Sequence, residues 1–102
     1  MPNPHYGAVI AETLGQPSVA RQLTATDTSS NTALTATCRR ISMRARGADI
    51  RYSIGATAQT ATATSHFIAN GERLDVSVPE GSNIAVLRDA TTSGTLCVTE
   101  LI

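Results

Sequence analysis

Residues 40–55 read RISMRARGADIRYSIG. Ile41, Met43 and Ala45 alternate with Arg40, Ser42, Arg44 and Arg46, which is the period of two of a strand with one face in a core and one in water. After Gly47 and Asp49 the alternation resumes, with Ile50, Tyr52 and Ile54 against Arg51 and Ser53, and Gly55 ends it. The two segments together predict an antiparallel hairpin.

Working outward toward the C-terminus, the same period recurs. ATAQTATATS (56–65) holds nothing large enough for a core position and reads as a long exposed loop leading into a strand at 65–69. Asn70 and Gly71 are the strongest short turn signal in the chain, because both residue types tolerate positive φ. Leu74, Val76 and Val78 then alternate with Arg73, Asp75 and Ser77, and Pro79-Glu80-Gly81 marks another turn. Ile84 to Leu87 is continuously apolar, the pattern of a central strand covered on both faces. TLCVTELI (95–102) closes the chain with Leu96 and Val98 on one side and Cys97 and Thr99 on the other.

Toward the N-terminus the pattern dissolves. Val9, Ile10, Leu14, Val19, Leu23 and Leu34 are scattered among Thr, Ser, Ala, Asn and Pro, and TATDTSSNTALTAT (24–37) reads as linker. The expected organisation is an extended N-terminal arm over residues 1–34 with little regular structure beyond one or two short strands, followed by a β-domain over 35–102. The expected fold class is all-β, a small antiparallel β-sandwich or barrel of about six to eight strands. No stretch carries a sustained helical period.

Composition restricts what such a domain can do. Among 102 residues 41% are hydrophobic but only 3% aromatic, so Ile, Leu and Val must fill a thin core. The formal net charge is zero, which gives no global positive field to hold nucleic acid. No apolar run approaches the roughly 20 residues that span a bilayer, and the opening MPNPHYGAV lacks the regions of a signal peptide, so synthesis in a cytosol is expected.

No chemistry stands out. His5 and His66 are the only histidines; a metal site built from His66, Cys38, Cys97 and one acid would need a coincidence of folding. Ser and Thr occur everywhere, none in a nucleophile elbow, and the glycines stand singly at turns instead of forming a phosphate cradle. Glu72, Asp75, Glu80 and Asp89 look like solvated strand and turn positions. Neither catalysis, a cofactor nor a metal is expected. Cys38 and Cys97 are either a disulfide between the first and last strands of the domain or two buried thiols, and the parity of Cys38 with Arg40 and Arg44 turns it away from the core. Every basic residue is Arg. Arg39, Arg40, Arg44, Arg46 and Arg51 form the one candidate interface, read either as a solvated strand face or as a row that meets acidic groups on a partner.

The succession of an Arg-containing strand (RISMRARGADIRYSIG), a small-residue loop (ATAQTATATS), FIANGERLDVSVPEG and NIAVLRDATTSGTLCVTEL resembles short proteins encoded in bacteriophage and prophage structural gene clusters. The resemblance covers about three fifths of the chain. It implies a capsid decoration or cement protein, located in the virion after synthesis in the host cytoplasm, working as a trimer or other homo-oligomer against the major capsid protein. Nucleic acid and membrane are not among the partners it implies. Tail, neck or fibre-attachment roles fit the same pattern. A carbohydrate or receptor binding module is the rival from another class; Tyr6, Tyr52 and Phe67 are the only rings that would stack on a sugar.

Overall fold

The computed structural model describes residues 16–102, which form eight strands and no helix. They are β1 (Pro17–Ala25), β2 (Ser30–Ala33), β3 (Arg40–Arg46), β4 (Ile50–Gly55), β5 (His66–Ile68), β6 (Arg73–Ser77), β7 (Asn83–Arg88) and β8 (Gly94–Leu101). Two four-stranded sheets face each other, in the orders β1-β8-β3-β6 and β2-β7-β4-β5. All six pairings are antiparallel. Every connection except β4 to β5 passes from one sheet to the other, and this strand order is that of a jelly roll.

The period-two readings hold. Ile41, Met43 and Ala45 of β3 are fully buried, and Leu96 and Val98 of β8 lie on the same inner face. From the facing sheet Ile50, Tyr52, Ile68, Ile84 and Val86 complete the core. Strand β7 is central, as its apolar run requires, and Ala85, which points outward, is nonetheless fully buried.

What covers that outer face corrects the reading of residues 56–65 as an exposed loop. The Ser53 hydroxyl donates to Gln59 Oε1 at 2.7 Å, the Gln59 amide donates to Asn31 Oδ1 at 2.8 Å, and the Ala61 amide donates to Ser29 Oγ at 2.8 Å. Ala61 is only 3% exposed. Small residues are what allow the loop to lie this close to the β2-β7-β4 surface. Gly55 takes part, since a Cβ there would stand 2.5 Å from Gln59 Nε2.

Two further expectations are overturned. Strands β3 and β4 do not form a hairpin: Gly47-Ala48-Asp49 carries the chain across the edge of the sandwich into the other sheet, with Gly47 at φ +87°. Each strand has one apolar face, and facing sheets satisfy both as well as a hairpin would. Asn70-Gly71 likewise arches between β5 and β6 in different sheets. Only Gly71 has positive φ (+85°), and Glu72 N donates to Ala69 O at 2.8 Å, closing the turn.

The third correction concerns the arm. Its residues 1–15 lie outside the described residues, but 17–34 belong to the sandwich. β1 pairs with β8 from Pro17↔Leu101 to Ala25↔Gly94, and β2 pairs with β7 from Ser30↔Val86 to Ala33↔Asn83. Leu23, Ala25 and Leu34 are in the core. Backbone pairing to distant strands holds these segments, and their own apolar pattern is too sparse to announce it. Deleting residues 1–34 removes an edge strand from both sheets and exposes β8 and β7. The truncated chain is expected to lose cooperative thermal unfolding; a sharp transition with a native-like circular dichroism spectrum would contradict this assembly.

Candidate interaction surface

The outer face of the β1-β8-β3-β6 sheet is the part of the molecule that no described segment lies over. Parity places Ser42, Arg44 and Arg46 of β3 on it, beside Thr95, Cys97 and Thr99 of β8, because Ile41, Met43, Ala45, Leu96 and Val98 occupy the inner face. Across the other edge of β3, Arg44 stands directly opposite Arg73, and Ser42 opposite Asp75. Arg73 Nε donates to Ser42 Oγ at 3.1 Å and lies 3.5 Å from Asp75 Oδ1. Arg44 and Arg46 are exposed and meet no carboxylate among the described residues. A shallow cleft bounded by Ser42, Arg44, Arg73, Cys97, Thr99 and Leu101 runs across the sheet.

The five arginines singled out in the sequence therefore do not form one patch. Arg40, Arg44 and Arg46 share the outer face of β3. Arg39 lies before the strand, where its Nε donates to Glu80 Oε2 at 2.7 Å. Arg51 is on β4 in the opposite sheet. There its Nε donates to Asp89 Oδ1 at 2.7 Å, Nη1 donates to the Ser65 carbonyl at 3.1 Å, and the guanidinium sits 4.8 Å above the Phe67 ring. The place of Arg51 in the row is taken by Arg73, which joins it through the β3–β6 register that local sequence does not reveal.

Both cysteines are free. Cys38 does not follow strand parity, because it precedes β3 in a turn closed by Cys38 N donating to Thr35 O at 2.9 Å; its thiol is buried in the core and donates to Arg40 O. Burial, and then the charge of Glu100, pushes that thiol's pKa up. Cys97 is half-buried on the outer face, paired in register with Arg44 and Gln22. Cys38 lies six positions before Arg44, the partner of Cys97, so the two cysteines stand roughly 20 Å apart along the strand direction, far beyond bonding range. Native-state labelling with a maleimide is expected to modify Cys97 and to spare Cys38 until the chain unfolds, and reductant is expected to leave the melting temperature unchanged.

A second polar cluster went unremarked in the sequence. Glu100 has the parity of Leu96 and Val98, so it points inward at the end of the sandwich, and it is 1% exposed. Arg21 Nε donates to its Oε2 at 2.7 Å and the Thr35 amide donates to the same oxygen at 3.2 Å. Burial alone would raise the carboxyl's pKa; the bonds from Thr35 and Arg21 outweigh it and hold the group below its ordinary range. An acid at a core parity in LCVTELI was the signal that would have found it. Because the folded-state pKa is lowered, the carboxylate stabilises the fold above the ordinary carboxylate range, and that contribution fades as pH falls through the lowered value. Glu100→Gln should cost about 2 kcal/mol at neutral pH and flatten the loss of stability expected of the parent below about pH 4, as read from urea midpoints across pH.

Among the described residues no three His, Cys, Asp or Glu side chains cluster as metal ligands. His66 stacks against Tyr52 at 5.4 Å, far from any cysteine partner in register; His5 and Tyr6 lie outside the described residues. No helix of the described residues is long and apolar enough to cross a membrane. Comparison with protein-family models, with curated proteins and with solved structures returns no match.

Proposed function

We propose that this chain is a non-enzymatic virion protein that decorates or stabilises a bacteriophage capsid through protein contacts, with the outer face of β1-β8-β3-β6 as the docking surface. The observation that carries the reading is the asymmetry of the sandwich. One sheet has its outer face covered by the chain's own residues 56–65, while the other presents Arg44 and Arg46, which meet no carboxylate among the described residues, with hydroxyls and a shallow cleft beside them. Arginine is enriched at protein interfaces, because its planar group forms several directed hydrogen bonds at a modest desolvation cost. Jelly rolls recur in viral shells, which fits the reading, although the fold hosts other functions as well.

The carbohydrate-binding alternative has less support. Tyr52 is buried in the core, and one face of Phe67 is already occupied by Arg51. A tail, neck or fibre-attachment role uses the same kind of surface, and fractionation separates it from a head role. Purified particles split into heads and tails are expected to carry the protein with the heads. Recovery with tails would move it to the alternative, and absence from both fractions would overturn the virion reading. Replacing Arg44 and Arg46 with Glu is expected to cut the copies recovered per head while leaving the circular dichroism spectrum unchanged.

A further inference from the structure

Arg44 and Arg73 stand directly opposite each other on neighbouring strands. Side chains so paired have Cβ atoms about 5 Å apart, and like charges in that relation destabilise a sheet. Arg46 follows on the same face two residues along β3, which adds a third positive charge. Among the described residues Asp75 alone offers a counter-charge there, 3.5 Å from Arg73 Nε with both groups largely in water, so it contributes little. A solvated strand needs only scattered charge to discourage edge pairing. Three arginines grouped around one weak counter-ion go beyond that need.

No other carboxylate of the described residues supplies the missing anion. Each carboxylate of the described residues is already engaged. Glu100 is held by Arg21 and Thr35, Glu80 by Arg39, and Asp89 by Arg51. Glu72 accepts from the Ala69 amide, Asp49 from the Asn70 amide, and Asp27 from the Thr28 hydroxyl. In a second copy the acids of the described residues would be occupied in the same way. The floor of the cleft is also uneven in chemistry: the Ser42 and Thr99 hydroxyls lie beside Leu101, which suits a side chain that ends in a carboxylate and carries a short apolar stem.

We infer that Arg44, Arg46 and Arg73 form a receptor for the carboxylates of a second protein, and that the partner presents an acidic strip in extended conformation along β3. This rests on the reading of the sheet as a docking surface and specifies the chemistry of what docks. Guanidinium groups facing carboxylates form paired, directed bonds, so the contact is specific as well as attractive.

The test is a titration of the full chain with hexaglutamate at low ionic strength, followed by backbone amide NMR. Shifts are expected to centre on β3 and β6, and to shrink as salt is added. The double variant Arg44→Gln/Arg73→Gln should bind about tenfold more weakly and melt no lower than the parent, because it relieves a like-charge pair. Arg88→Gln, on the opposite sheet, should bind hexaglutamate as the parent does. Shifts spread over the whole surface, equal binding by the double variant, or tighter binding of inorganic phosphate or duplex DNA than of hexaglutamate would each overturn the inference. Concentration-dependent dimers that shield these arginines would overturn it too. A chain that binds hexaglutamate at this face yet is recovered with neither heads nor tails would sink the virion reading and leave the receptor intact.

Discussion

The scarcity of large rings in the core, where Tyr52 is the one aromatic side chain among the buried residues described, is the constraint on which the rest of this structure depends. Ile41, Met43, Ile50, Ile68, Ile84 and Leu96 are the main fully buried side chains, and each contributes only about 1.5–3 kcal/mol by leaving water. Against the conformational entropy of some ninety ordered residues, such a core leaves a narrow margin. Stability has to be collected from every strand at once. The jelly-roll order does this, because each crossing between sheets places consecutive segments on opposite walls of the same interior. No two neighbouring strands then make a unit that would survive alone.

A thin sandwich must also be sealed at its ends, where water would otherwise reach the short aliphatic layer. At one end Gly47 N donates to Asn70 Oδ1, Asn70 N to Asp49 Oδ1 and Gly71 N to Ala45 O, so that two inter-sheet arches hold each other. Gly94 packs into the same corner, where a Cβ would stand 2.8 Å from Arg46 O, which leaves no room for any other residue without moving backbone. The other end is closed by Glu100, Arg21 and Thr35, with Leu34 N donating to Ser82 O and Gly81 N to Ala36 O. A buried carboxylate is an expensive plug, and it is tolerated because the Arg21 and Thr35 donors are both aimed at one oxygen.

How much of this was legible follows from which interactions are local. The inner and outer faces of β3, β6 and β8 were readable, because alternation is written into five to eight consecutive residues. The central place of β7 was readable for the same reason. Strands β1 and β2 were not: β2 buries none of its four residues and exists through its pairing with β7, while β1 buries only Leu23 and Ala25. Hairpin and arch also look alike in sequence, since Gly47-Ala48-Asp49 and Asn70-Gly71 have turn chemistry suited to both. Of the candidate surface, the β3 arginines were legible by parity; the juxtaposition of Arg44 with Arg73 depended on a register set 29 residues away, and the removal of Arg51 to the other sheet on the crossing at 47–49.

The two outer faces show where the chain has used its spare polarity. Over β2-β7-β4 it laid down Gln59 and Ala61 on small-residue tethers, satisfying Ser53, Asn31 and Ser29 internally and burying Ala85 completely. Arg51 was likewise neutralised by Asp89 and spread over Phe67. Over β1-β8-β3-β6 the described residues give Arg73 only the Ser42 hydroxyl and an exposed Asp75, and give Arg44 and Arg46 no carboxylate. Among the described residues the other acids are engaged elsewhere, and Arg44, Arg46 and Arg73 are left together on one face with only Asp75 beside them. That distribution costs some repulsion in the isolated protein, and the repulsion becomes attraction once an acidic surface arrives. The face is therefore incomplete as a free surface in the same electrostatic sense that β7 would be incomplete without its covering loop.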